Sequence, residues 1–319
     1  MKILISLFLL SASLCVSALP QGGASDSSGK TEVKDSVIVN SSSGVNIAVG
    51  NSKVNSGINA QGAEIKDSTI INNTAGANIA VGNSKANSGI DANGAVVKDS
   101  LLLNNTAGAT IAVGNSKANS GIEANGATIK NAAVINNTAG ATIAAGNSHA
   151  NSGIEANNAN IKNAAVVNNT AGATIAAGNS HANSGIEANG ATIKNAAVIN
   201  NTAGVTIAAG NSHANSGIEA NNANISNAAL VNNNAGATIA VGGGHANSGI
   251  EANNATIKNT AIINNNAGVT AAWAGGSANS GVKLNNATVD STPIVNTNTG
   301  VTVNVLPGSS VSTGVNLGD

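Results

Sequence analysis

Apolar residues recur at every second position through much of this chain. Between 173 and 177, Ala173, Ile175 and Ala177 alternate with Thr174 and Ala176. Ile186 stands between Gly185 and Glu187, and Ala191 and Ile193 alternate with Thr192 and Lys194. A period of two is the pattern of a half-buried strand, so each stretch predicts one. Ala196-Ala197-Val198-Ile199 predicts a fourth strand whose facing the pattern leaves open. Turn chemistry separates these stretches: Gly-Asn-Ser at 178–180, Asn-Gly at 189–190 and Asn-Asn-Thr-Ala-Gly at 200–204. No helical period competes.

The same set of strands is written repeatedly. Alignment on Asn-Ser-Gly gives eight gapless 32-residue units spanning 45–300. A half unit at 29–44 precedes them. Residues 301–319 open a ninth unit, diverge at Pro307 and read as a C-terminal cap or tail. One unit cannot bury its own apolar face, whereas stacked units bury a continuous one. The expected fold is therefore all-β: a β-solenoid of about eight and a half rungs, ~4.8 Å apart. Its core would be in-register Ile, Val and Ala ladders, such as Ile47, Ile79, Ile111, Ile143, Ile175, Ile207 and Ile239.

Two columns bear on how such rungs close and stack. Asn55, Asn87, Asn119, Asn151, Asn183, Asn215, Asn247 and Asn279 predict an amide ladder, each side chain bonding to those above and below. The column Gly62, Gly94, Gly126, Asn158, Gly190, Asn222, Asn254, Asn286 holds only the two residues that best tolerate positive φ, which predicts a left-handed corner. Gly44 and its equivalents through Gly300 predict a second corner. Asn72, Asn104, Asn136, Asn168 and Asn200 each begin an Asn-x-Thr glycosylation signal, stacked so closely that glycans on adjacent rungs would crowd.

Charge is sparse. Only 8% of residues are charged, the net charge is −1, and every basic residue is Lys. That argues against an electrostatic grip on nucleic acid or on an anionic membrane. One acidic column reads Asn59, Asp91, Glu123, Glu155, Glu187, Glu219, Glu251, Lys283. A Lys column seven residues on reads Lys66, Lys98, Lys130, Lys162, Lys194, Ser226, Lys258, Asp290. Opposite signs in most units, flipped together in the last, predict ion pairs across the corner: Glu123 with Lys130, Glu155 with Lys162, Glu187 with Lys194, Glu251 with Lys258, and Lys283 with Asp290. A third column, Lys53, Lys85, Lys117, His149, His181, His213, His245, Ser277, holds all four His. Either it only needs an exposed polar side chain, or the His bind Zn²⁺, Cu²⁺ or Ni²⁺ between rungs. Stacked imidazoles would resist joint protonation, so acid is expected to loosen this edge.

No unit carries a distinct catalytic constellation or a phosphate-cradling loop, and no cofactor site is expected. Trp273, in the most deviant unit, is expected to plug the end of the stack. At the N-terminus, Lys2, the apolar run from Ile3 to Leu10 and Val16-Ser17-Ala18 read as a secretory signal peptide over 1–18. Its removal would take the single Cys15, leaving a Ser/Gly-rich leader at 19–28 and a chain without disulfides.

GVNIAVGNSKVNSG (44–57) and GVTIAAGNSHANSG (204–217) resemble the repeats of secreted bacterial functional amyloids, especially the Fap-type fibril subunits of pseudomonads and more distantly the curli class. The chain departs from Fap-type subunits in having only Gln21 and Gln61 and no C-terminal Cys pair. The resemblance implies self-assembly into extracellular fibres. The expected function is a secreted, non-catalytic structural protein of an extracellular matrix or cell wall, with itself as partner and matrix or wall polysaccharide as another. The alternatives are a monomeric solenoid that binds glycan, mineral or ice, with the Thr column Thr110 to Thr270 as a hydroxyl array, or a surface adhesin.

Overall fold

The computed structural model describes residues 31–305 and 307–317; the expected signal peptide with Cys15, and the leader at 19–28, lie outside the described residues. The described chain is a parallel β-solenoid. Four strands make one turn, and the turns stack into four sheets of nine strands each. Sheet 1 begins with Glu32–Lys34, sheet 2 with Val37–Gly50, sheet 3 with Lys53–Asn55 and sheet 4 with Ile58–Asn59. A central turn uses Thr128–Lys130, Ala133–Gly146, His149–Asn151 and Ile154–Glu155. Each residue pairs with the one 32 positions on, so Ile143 meets Ile175 and Asn151 meets Asn183. The ninth turn is complete. It is made from Thr288–Asp290, Ile294–Val305, Ser310–Ser312 and Val315–Asn316, and one extra residue at the Pro307 turn moves the pairing to Ser277 with Ser310. Among the described residues, no helix is long and apolar enough to cross a membrane.

The long strands of sheet 2 overturn one expectation. In Ala165–Gly178 the inward residues are Val166, Asn168, Thr170, Thr174 and Ala176. Ile175 and its column therefore face outward, and Ile47 in the first turn is 41% exposed. The reason is space. Opposite Ala176 the facing wall is Ala182, and this compartment is filled by buried Ala alone; an Ile would not fit between walls so close. The Ile-rich core lies at the other end of each turn, where Ile186, Ala188, Ala191, Ile193, Ala196 and Val198 pack together. A polar septum divides the two. Asn168 Nδ2 donates to the Ser184 carbonyl at 2.6 Å, and Ser184 Oγ donates to Thr142 Oγ1 at 3.0 Å. The Thr110 column is thus buried and presents no hydroxyl array to an external ligand.

The expected corner at Gly126, Asn158, Gly190 and Asn222 is present, with φ of 68°, 57°, 70° and 56°. Gly172 and its equivalents mark a bend within one continuous strand. There φ is +133°, and a Cβ would lie 1.6 Å from the Gly140 carbonyl oxygen. No side chain fits, so the column is Gly throughout.

The expected Asn ladder runs up sheet 3, with Asn183 Nδ2 donating to Asn151 Oδ1 at 3.1 Å. Two further ladders occupy sheet 2. Asn168 Nδ2 donates to Asn200 Oδ1 at 2.8 Å inside the solenoid, and Asn169 Nδ2 donates to Asn137 Oδ1 at 2.8 Å outside it. The interior ladder donates toward the C-terminal end and the sheet 3 ladder toward the N-terminal end, so their amide dipoles oppose. Asn72, Asn104, Asn136, Asn168 and Asn200 are fully buried, so the folded chain offers none of these five to a glycosylating enzyme.

Trp273 does not plug an end. It stacks between Val241 and Val305 on the outer face of sheet 2 and is 51% exposed. Its parity along the strand is that of the outward Ile column, and a further turn lies beyond it.

Candidate functional site

Each unit's Asn-Ser-Gly folds the chain back between sheets 3 and 4. Asn151 Oδ1 accepts the Gly153 N–H at 2.9 Å, an Asx-type turn, while the same side chain donates to the rung below. This turn sets residue 149 of sheet 3 beside residue 155 of sheet 4. The Glu155 side chain is 3% exposed beneath a His149 ring that is 30% exposed, with Nε2 2.5 Å from Oε1.

The arrangement recurs in six rungs. Lys85 meets Asp91 at 3.2 Å, Lys117 meets Glu123 at 2.9 Å, His181 meets Glu187 at 2.6 Å, His213 meets Glu219 at 2.8 Å and His245 meets Glu251 at 3.1 Å. The Glu column thus pairs with the residue six positions before it, and the expected pairs seven positions on do not form. Among the described residues, Lys130, Lys162, Lys194 and Lys258 take part in no ion pair, and Lys283 reaches back to Glu251 at 3.5 Å rather than to Asp290. The physical reason is the Asx turn, which carries the acid under sheet 3, whereas the corner splays the chain toward the outer edge of sheet 1. There Lys66 instead finds Glu64 at 2.6 Å.

The signal was present in the sequence. Lys or His occupies the earlier column in every unit whose later column is acidic, and it becomes Ser277 in the unit where the acid becomes Lys283. The Lys column seven residues on breaks at Ser226 while Glu219 stays acidic.

Six acids stacked in register would repel strongly in this dry setting unless matched. Burial pulls the His149, His181 and His213 imidazoles down, yet the charge of the facing Glu, with its hydrogen bond at His149 and His181, outweighs it and the net shift is upward. Burial likewise pushes Glu155 up, but His149 and Lys117 bring it down to about 2. Glu251 ends at about 2 through His245 and Lys283. The expectation that acid loosens this edge omitted the buried acids: mild acid favours the His/Glu contacts, and they are lost only as pH falls on through the carboxyl range. The carboxylates thus favour the protonated form of His149, His181 and His213. Two atoms of these columns escape the matching: Glu123 Oε1 and His213 Nε2 are buried without a hydrogen-bond partner.

A second feature runs the length of the rod. The bend at Gly140 and its equivalents makes sheet 2 concave outside, leaving a trough of about 1040 Å³ lined by the Asn137, Thr138 and Ala139 columns. It carries no charged side chain.

No known family model matches this chain, and no curated protein matches it. Among solved structures it is similar to a pentapeptide-repeat protein of heterocyst differentiation from the cyanobacterium Nostoc, with 11% identity, 75% of this chain and 85% of that one covered, and a TM-score of 0.19. Endopolygalacturonase I from Stereum purpureum gives 12% identity, 91% and 96% coverage, and a TM-score of 0.24. The A-module of a mannuronan C-5 epimerase from Azotobacter vinelandii gives 10%, 90% and 91%, and 0.22. Likenesses so faint carry no argument about activity; the β-solenoid fold stands on the chain's own strand register.

Proposed function

We propose that this chain is a secreted, non-catalytic structural protein whose copies stack end to end into fibres. The observation that carries this reading is the match between its two ends. Because each sheet has nine strands, the first and last described turns present the same four strand edges in the same step, and among the described residues no strand pairs with them. Open edges template further strands. Exposed large apolar residues gather there: Val37 (56%), Val45 (56%) and Val49 (60%) at one end, Val295 (51%), Val301 (59%) and Leu317 (62%) at the other.

The columns also continue across such a junction. Asn264 Nδ2 donates to Asn296 Oδ1, and a second copy's Asn40 would stand next in that ladder. The Lys column that begins at Lys34 ends in Asp290, so stacking sets opposite charges together. Gly314 points the same way. Gly281 is required because a Cβ would lie 2.0 Å from the Gly314 carbonyl oxygen, but nothing among the described residues lies within 4 Å of a Cβ at Gly314. The Gly57 carbonyl of a second copy would. The resemblance to Fap-type subunits and the signal-like N-terminus agree with this reading.

The test is negative-stain imaging and fibre diffraction of the purified chain from Leu19 onward, together with Asp290→Lys and the double swap Asp290→Lys with Lys34→Asp. Unbranched fibres with a meridional reflection near ~4.8 Å, lost in the single variant and restored in the double, are expected. A β-rich monomer that never elongates, seeded or not, would overturn the proposal.

The trough favours a second reading, a monomeric module for a neutral polysaccharide chain lying along the Asn137 ladder. Glycan-array binding by a non-elongating chain, abolished by Asn137→Ala with Asn169→Ala, would favour it.

A further inference from the structure

We propose that the upper part of the His/Glu column is a binding site for one Zn²⁺ ion, with His213 as the shared ligand of two overlapping positions. One position is formed by His181, Glu187 and His213, the other by His213, Glu219 and His245. In each, one ligand atom from every residue lies within 4.8 Å of the others.

Zn²⁺ takes imidazole nitrogen and carboxylate oxygen at about 2.0–2.2 Å and is content with three protein ligands and an open fourth position. Two Nε2 atoms on one ion must approach to within about 4 Å, which small rotations of stacked rings achieve. The rings are already turning against each other: the tilt between neighbours grows from 4° and 6° to 16° at His213–His245, while the centroids stay 4.9–5.0 Å apart. The Nε2-to-carboxylate distance grows along the same direction, from 2.5 Å at His149 to 3.1 Å at His245. His213 Nε2 is buried and makes no aligned hydrogen bond, although Glu219 Oε1 is 2.8 Å away. A ring nitrogen so placed can turn to a metal in the neutral imidazole form, so binding releases its proton.

Access and charge agree. The imidazoles are 25–29% exposed, so an ion reaches them from solvent, while the Glu side chains behind are 4–7% exposed and give it a dry, anionic floor. A divalent ion would itself supply positive charge that this column of acids needs. Lower rungs carry Lys85 and Lys117 at the His position, and an ammonium is no ligand. Because the two positions compete for one Nε2, they hold one ion between them.

Calorimetric titration of the untagged chain with ZnCl₂ at neutral pH, and with Co²⁺ as a visible-absorption probe, tests this. One ion per chain is expected, with the Co²⁺ bands of a four-coordinate site. His213→Asn should weaken binding at least 100-fold by removing both positions at once. His213→Lys keeps a cation over Glu219, as Lys117 does over Glu123, so it preserves the fold and should lose the metal equally. His149→Asn should leave stoichiometry and affinity unchanged. Wild-type binding by His213→Lys, no binding by the parent chain, or equal loss in His149→Asn would overturn the assignment.

Discussion

Nε2 of His149 lies 2.5 Å from Oε1 of Glu155, six residues on, because the Asn151 side chain folds the intervening turn. That contact sets the pH response. The raised imidazole pKa values of His149, His181 and His213 contribute stability that is complete below the unfolded-state value of about 6.5 and is lost as pH rises through the folded value. The lowered carboxyl values of Glu155 and Glu251 contribute stability present above the unfolded value and lost as pH falls toward about 2. Thermal unfolding should therefore show a maximum near pH 5–6, roughly between the two unfolded values, falling on both sides. Replacing all four His by Lys should flatten the alkaline arm and leave the acid arm.

The facing of sheet 2 is open to a paired test. Ile175 lies on the outer face and Ile193 in the core. Ile193→Ala should cost about 2–5 kcal/mol, and Ile175→Ala less than about 1.5 kcal/mol since its side chain is only half-buried. Denaturant titration of both decides it; equal costs would contradict the observed facing.

The two amide ladders of sheet 2 should differ as sharply. Asn168→Ala strands buried polar atoms on Asn136, Asn200 and Ser184. At about 1–3 kcal/mol for each orphaned group, the loss should exceed about 3 kcal/mol. Asn169→Ala breaks a ladder that water can reach and should cost under about 1 kcal/mol. Urea midpoints would show the gap.

Gly172→Ala drives a methyl into the Gly140 carbonyl at positive φ and should cost more than about 4 kcal/mol. Gly190→Asn should be near neutral, because Asn158 and Asn222 hold the same conformation one rung away on either side. Its sequence neighbours already show which side chain that corner accepts. Hydrogen exchange should reveal the stack opening at rung 172 in the first variant and no change in the second.

What the sequence determined by itself was everything that a fixed period dictates. A 32-residue repeat forces like onto like, so the solenoid, its register, the Asn151–Asn183 ladder and the left-handed corner at Asn158 were legible without coordinates. What only the tertiary structure decided was which residues of one turn face each other. Periodicity of two says that Thr174 and Ile175 point opposite ways but not which is inside; the narrow Ala176–Ala182 wall settles that. Sequence distance likewise favoured no partner for Glu155 between Lys162, seven residues later, and His149, six earlier; only the column pattern, with Ser277 where the acid becomes Lys283, pointed to the earlier one. The Asx turn carries the acid beneath sheet 3 and the corner carries the Lys away, and with that the charged column becomes a buried one.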